Sequence, residues 1–249
     1  DLISSLSLLS GEALMSLYPV LIKFVKTDLL THILVRLLIA VIICYPFITM
    51  TTGHIVSHLS YHIISILYVF HIYSSYVGFL NLNVGVALTL FYTYPLINVL
   101  IKECFMDRHI NWTIIGYFLI SFMGVLLITK NEYETSHLNW KLGVGAMILS
   151  ALTESLIYTF YKSNTDTNPF NMLFIMCFTG TVILSLIYFY KKYVPAKQID
   201  DDTQSNIITK LILANVFLGV GGYLLRFYSL PNITTEWFSI LSFSGIIFG

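Results

Sequence analysis

Residues 84–101 read VGVALTLFYTYPLINVLI, 18 positions without a charged side chain. A strand of a membrane barrel would alternate apolar and polar residues over ~10-residue segments, and this stretch does not. In hydrocarbon the backbone has to pair its own N–H and C=O groups, which an α-helix does within one segment. About 20 helical residues cross a bilayer core of ~30 Å. The run therefore predicts a transmembrane helix. Pro95 inside it predicts a bend and a plausible gate hinge, because proline removes one backbone hydrogen bond and crowds the preceding turn.

Working outward, eight more apolar runs are separated by charged or turn-forming residues: Ser4–Val25, His32–Met50, Ile63–Leu80, Trp112–Thr129, Leu142–Phe160, Asn171–Tyr190, Leu211–Tyr228 and Thr234–Phe248. Of the 249 residues, 57% are hydrophobic and 10% charged, and the mean hydropathy is +0.80. A soluble domain of this size could not hide that much apolar surface, so the bilayer is the solvent. The prediction is an all-α polytopic protein with about nine transmembrane helices, multi-pass in a plasma, inner or organelle membrane. The connections are short. The longest, from Lys191 to Lys210, leaves no room for a soluble domain. The first run lacks a basic leader and a small-residue cleavage site, so it reads as a span rather than a signal peptide.

Lys plus Arg and Asp plus Glu number 13 each, which removes nucleic acid as a partner class. Cys44, Cys104 and Cys177 are scattered and suggest neither a disulfide framework nor a metal site. His54, His58 and His62 would align on a helix, but His32, His71, His109 and His137 are too dispersed to complete a metal cluster, so no metal is expected. Gly219, Gly221 and Gly222 lie in an apolar run with no Lys-Ser/Thr after them. They read as close helix packing rather than a phosphate loop, as do Gly143/Gly145 and Gly116/Gly124. Asn111-Trp112-Thr113 and Asn232-Ile233-Thr234 match the glycosylation sequon but sit too close to a span.

A weak internal repeat is present. The first run carries Leu9, Ser10, Gly11 and Glu12 and ends at Lys23; the sixth carries Leu149, Ser150 and Glu154 and ends at Lys162. Each thus has a carboxylate mid-span and a lysine at its end. A shift of 149 also lays Leu80–Pro95 over Ser229–Ser244, the fourth run over the ninth. Five spans per repeat force the halves into opposite orientations. The chain starts at Asp1 and stops at Gly249 within an apolar run, so both ends are expected to be truncated and a tenth helix to lie beyond the end.

From Tyr76 to Ile128 the order of features is a small-residue span, Tyr94-Pro95, Glu103, Arg108, Gly116 and Gly124-Val125. This pattern resembles the EamA-like drug/metabolite transporter superfamily, with Glu103, Gly116 and Gly124 as its motif positions. Arg36 also stands where members of that family often carry an arginine. The second half departs from the pattern: Ser244 occupies the place of the repeated proline, and the counterpart of Glu103 falls past Gly249. The resemblance implies ten helices in two inverted five-helix repeats, residues 1–130 and 138–249, around a central cavity, with alternating access by rocking of one repeat on the other. It implies no cofactor, no enzymatic activity, and a small solute such as an amino acid, nucleotide sugar or drug as cargo. The lipid bilayer is the other expected partner, with a homodimer as an option.

A charge at bilayer depth costs at least ~2.5–3.5 kcal/mol, so each one needs a partner, water or a function. Glu12 and Glu154 are expected to line the cavity from symmetry-related helices and bind a cationic group or a coupling proton. Arg36 is expected to pair with one of them or hold an anionic group. Arg226 lies near the end of its span, and His71, mid-span, can titrate near neutral pH where solvated. Of the aromatics Tyr18, Tyr76, Tyr94, Tyr158, Tyr223 and Trp237, only Tyr94 and Tyr158 stand beside motif positions. The bland alternative is a structural Arg–Glu lock between helices. Two other classes compete: a seven-helix receptor, which nine spans with a repeat disfavour, and a membrane-embedded enzyme, which needs polar residues converging at one membrane face.

Orientation carries a conflict. With the cytoplasmic amino terminus that the resemblance implies, Lys102, Arg108 and Lys162 face inward, while Lys23, Lys26, Lys130, Lys141, Lys191, Lys192, Lys197 and Lys210 face outward. The positive-inside rule favours the reverse.

Overall fold

Long apolar runs have few ways to satisfy their backbone in lipid, and every regular element among the described residues is helical. The computed structural model describes residues 2–24, 28–102, 112–113, 116, 119–120, 123–124, 127, 139–163, 168–192 and 201–248. The helices are α1 (Leu2–Phe24), α2 (Leu29–Cys44), α3 (Thr52–Ser57), α4 (Leu59–Asn81), α5 (Val84–Phe91), α6 (Tyr94–Ile101), α7 (Trp140–Ser163), α8 (Pro169–Lys192), α9 (Asp201–Ala214), α10 (Gly221–Ser229), α11 (Thr235–Ser242) and α12 (Ser244–Phe248). Among the described residues, six stretches are long and apolar enough to cross a membrane: Leu29–Phe47, Leu59–Asn81, Val84–Ile101, Trp140–Ser163, Pro169–Tyr190 and Ile207–Asn232. The 23-residue α1 and the shorter apolar stretch Thr235–Phe248 accompany them. Most of the run Trp112–Thr129, and all of Glu103, lie outside the described residues.

Local chemistry sets several boundaries. Asp28 caps α2 by accepting from the Thr31 backbone N–H at 2.9 Å and its hydroxyl at 2.6 Å. Thr234 caps α11 through the Trp237 N–H at 3.2 Å. The predicted bend at Pro95 is a full break. The run 84–101 divides at Tyr92-Thr93, and Pro95 occupies the first turn of α6, where its missing N–H costs no helix bond. The ninth run divides too, between α11 and α12 at Phe243. The two breaks meet, since a Cβ on Gly245 would collide with the Tyr92 ring. Between α9 and α10 the chain makes a π-helical passage, Asn215–Val220, where the Gly221 N–H reaches back to the Val216 carbonyl.

Two sets of packing mirror each other. α1 packs on α10, α11 and α12, as α7 packs on α4, α5 and α6, and α2 packs on α8 between them. α4 and α7 run antiparallel: Tyr61 meets Phe160 at one end, ring centroids 6.4 Å apart, and Gly143 abuts Leu82 and Asn81 at the other. Close approach is strongest between α1 and α10. A Cβ on Gly11 would lie 3.0 Å from the Gly222 carbonyl oxygen and 3.2 Å from Arg226 Cγ, so only glycine lets these backbones draw together. At Gly116, Gly124 and Gly145, by contrast, a Cβ meets nothing within 4 Å among the described residues, so the close packing expected there is absent from that description.

Candidate functional site

The Gly11–Gly222 contact brings Arg226 of α10 against Glu12 of α1. Arg226 Nε donates to Glu12 Oε1 at 2.8 Å and Nη2 to Oε2 at 3.1 Å, a two-pronged pair. Nη1 donates to Glu154 of α7 at 3.0 Å and lies 3.1 Å from Met15 Sδ, and Nη2 also bonds the Tyr94 hydroxyl. All three charged side chains have 0% exposure. Every guanidinium donor direction is used, which is what makes a buried arginine tolerable. Glu12 further accepts from the hydroxyls of Tyr92 at 3.0 Å and Tyr94 at 3.1 Å. The broken run supplies both tyrosines, one on each side of Thr93. Ser155 and Ser239 donate to the Tyr94 and Pro95 carbonyls at 2.8 and 3.0 Å, pinning the break to α7 and α11.

Glu154 has a second neighbour. Its Oε2 lies 3.3 Å from His71 Nε2, and the Tyr223 hydroxyl donates to both of its oxygens at 3.2 and 3.3 Å. The shortest contact of His71 Nδ1 is the Ser150 carbonyl oxygen, at 3.1 Å. A carbonyl only accepts, so the tautomer that satisfies it carries its hydrogen on Nδ1, whereas the Ser150 hydroxyl at 3.3 Å can donate to the other. In the first tautomer Nε2 faces a carboxylate oxygen at 3.3 Å and the Tyr223 hydroxyl at 3.4 Å, and a proton shared with Glu154 makes the carboxylate contact favourable.

Arg36 stands apart from both glutamates. It is 6% exposed, its Cζ sits 4.4 Å above the Tyr18 ring and 5.6 Å from that of Tyr223, and its Nε has no hydrogen-bond partner. The carboxylate partner expected for Arg36 is thus held by Arg226, and the ring faces of Tyr18 and Tyr223 together with hydrogen bonds to Tyr68 and Tyr76 solvate Arg36 instead. Tyr18 is fixed in turn by hydroxyl contacts to Tyr76 at 2.6 Å and to Asn215 Oδ1, in the π-helical passage, at 2.7 Å. Arg36 opens onto a pocket of ≈ 410 Å³, mouth included, lined also by Met15, Tyr18, Ser75, His71, Phe91, Tyr92 and Tyr223.

The structure gathers Glu12, Glu154, Arg226, His71 and Tyr94 into one network. Tyr158 enters through its ring, which stacks on Tyr94 at 5.5 Å and lies 5.4 Å from Arg226 Cζ. Gly116 and Gly124 lie elsewhere. Sequence reasoning passed over Tyr92 and set Tyr18 and Tyr223 among background aromatics. Their helices converge only in three dimensions, and the mid-span position of Tyr92 beside Tyr94 was the one available signal.

A helical chain with several bilayer-length apolar helices around a buried ionic core is a multi-pass integral membrane protein. Comparison sharpens that class: the model of the EamA-like transporter family matches residues 2–130 and again residues 141–249, and the chain belongs to that family. No curated protein and no solved structure matches it.

Proposed function

We propose that this protein is a secondary transporter that carries a small organic anion together with a proton, by alternating access between two inverted repeats of a ten-helix fold. The observation that carries the reading is Arg36, a buried cation without a carboxylate partner among the described residues, opening onto the pocket that His71 also lines. Glu12 is a poor receptor for a cationic solute, because Arg226 and two tyrosines already occupy its oxygens.

Charge balance supports the coupling. With the His71–Glu154 contact unprotonated, two arginines offset two glutamates. With it protonated, one positive charge is left over, and a solute anion at Arg36 cancels it. Anion and proton then favour each other's binding, and the loaded pocket crosses the membrane interior without net charge. The mirrored packing of α1 and α7, and the paired breaks at Tyr92-Thr93 and Phe243, support the inverted-repeat architecture, and the first break borders the pocket through Leu88, Phe91 and Tyr92.

The test is uptake into liposomes holding the full chain, with lactate, succinate, glutamate and orthophosphate as probes and choline as the cationic control. At least one anion should enter faster with the exterior acidic, His71→Gln should flatten that pH dependence, and Arg36→Met should abolish uptake. Choline entering in place of the anions, or an anion flux indifferent to pH, refutes the reading.

A further inference from the structure

A second pocket lies at the face where α1 begins and α6 and α7 end, with a volume of ≈ 370 Å³, mouth included. Lys102, Lys162, Asn98, Tyr158 and Thr235 are among its lining residues. Among the described residues, two lysines share this mouth with Glu236, whose carboxylate pairs with Lys102. Among the described residues the hydrogen-bond partners of Lys162 are neutral, the Thr235 hydroxyl at 2.7 Å and the Ile233 carbonyl at 3.4 Å, with Glu236 in electrostatic reach while bonded to Lys102. Deeper in, two polar groups are buried without partners among the described residues: the Tyr158 hydroxyl, in a residue 3% exposed, and Asn98 Oδ1, in a residue 5% exposed. Buried polar atoms are ordinarily paired, and unpaired ones facing a cavity mark where a ligand's groups fit.

We infer that this pocket is a second binding site for the soluble anion, a station at the membrane face on the same pathway as Arg36. This rests on the transport reading but on different residues. Lys162 takes the anionic group, the Tyr158 hydroxyl donates to it, and Asn98 Oδ1 accepts from a donor elsewhere on the solute, so a hydroxy or amino acid fits better than a simple anion. Tyr158 is also the floor. Behind its ring lie Tyr94 and Arg226, and beyond them Tyr223, which lines the central pocket. The Glu12–Arg226–Glu154 network therefore stands as a plug between two anion stations. The plug holds two carboxylates against one saturated guanidinium, so in this closed arrangement it keeps an anion at the face, and Arg36 waits on the far side.

The test is cysteine protection on the full chain. Thr159, a pocket residue, is changed to Cys in a Cys104→Ser background; Cys44 and Cys177 are buried and stay native. Labelling by a neutral maleimide in lipid-free detergent is followed with lactate, glutamate or orthophosphate, and with phosphatidylglycerol added separately. A bound probe at about ten times its Kd should slow labelling about tenfold. Lys162→Met should weaken that protection about tenfold or more, Lys162→Arg should largely restore it, and Arg36→Met should leave it intact. Leu230→Cys, on the pocket's apolar wall, serves if Thr159→Cys does not fold. No protection by any of the three soluble probes, protection indifferent to Lys162→Met, or protection by phosphatidylglycerol alone overturns the inference. Anion uptake that depends on Arg36 without such protection sinks this site and leaves the transport reading standing; protection without uptake does the opposite.

Discussion

Replacing Arg226 by Met keeps an unbranched, flexible apolar stem and deletes the one cation that both buried glutamates share. Glu12 loses its bonds at 2.8 and 3.1 Å and Glu154 its bond at 3.0 Å, while three tyrosine hydroxyls remain to them. Removing one partner of a buried ion pair typically costs about 3–5 kcal/mol, because the carboxylates are left charged in a dry site or must take up protons. For a chain of this size ~1 kcal/mol moves the melting temperature by about 2–4 °C, so the expected drop is about 6–20 °C. Cys44 and Cys177 are both 0% exposed, so a dye that fluoresces on reacting with thiols reports their exposure on unfolding in a Cys104→Ser background. The triple variant Glu12→Gln, Glu154→Gln, Arg226→Met should regain most of the loss, since the cluster itself then holds no charge and Arg36, packed among tyrosines in the parent too, keeps its own surroundings. A melting temperature for Arg226→Met within about 2 °C of the parent would refute the assignment of this network as an ionic lock, because a cost under ~1 kcal/mol belongs to solvent-exposed pairs. A triple variant no more stable than the single one would refute the charge-matching argument.

Arg36 should behave in the opposite way. Having no carboxylate to orphan, Arg36→Met should change the melting temperature by no more than about 4 °C, the balance of lost cation–π contact and relieved burial, while abolishing anion uptake. Gly222→Leu should weaken the protein and the Arg226–Glu12 pair together, since even a Cβ there lies 2.5 Å from Met15 Cγ and 3.3 Å from the Gly11 carbonyl, whereas Gly145→Ala, in open space, should be neutral; thermal unfolding of the two side by side checks this. Single cysteines at Ser60 and Lys197, probed with an impermeant thiol reagent in sealed vesicles, should label from opposite sides, and the side on which Ser60 labels fixes the orientation that lysine counts and the family pattern dispute.

Much of the site was visible as types of residue rather than as partners. Glu12, Glu154, Arg226, His71 and Tyr94 are conspicuous because a polar side chain inside an apolar run is expensive wherever it ends up. Their pairing was not visible. Arg36 and Arg226 are equally plausible partners for Glu12 on charge alone, and the choice falls to Arg226 because Gly11 and Gly222 let α1 and α10 approach, while Tyr18 and Tyr223 interpose rings around Arg36. Pro95 announced a disturbance in its run. That the disturbance is a break, placed at Tyr92-Thr93 and tied to α7 and α11 by serine hydroxyls, depended on neighbours far along the chain.

What the sequence by itself determined is the solvent and the secondary structure: runs such as 84–101 must lie in lipid and must be helical, because hydrophobicity and backbone pairing are properties of each segment alone. Its repeat also pointed to two halves, in agreement with the two matches to the family. What only the tertiary structure decided is which charges meet. An ion pair across 214 positions, like that of Glu12 and Arg226, leaves no mark in local composition. Neither do the emptiness around Arg36 Nε or the unpaired atoms of Asn98 and Tyr158, since a cavity is a property of what the surrounding helices fail to fill.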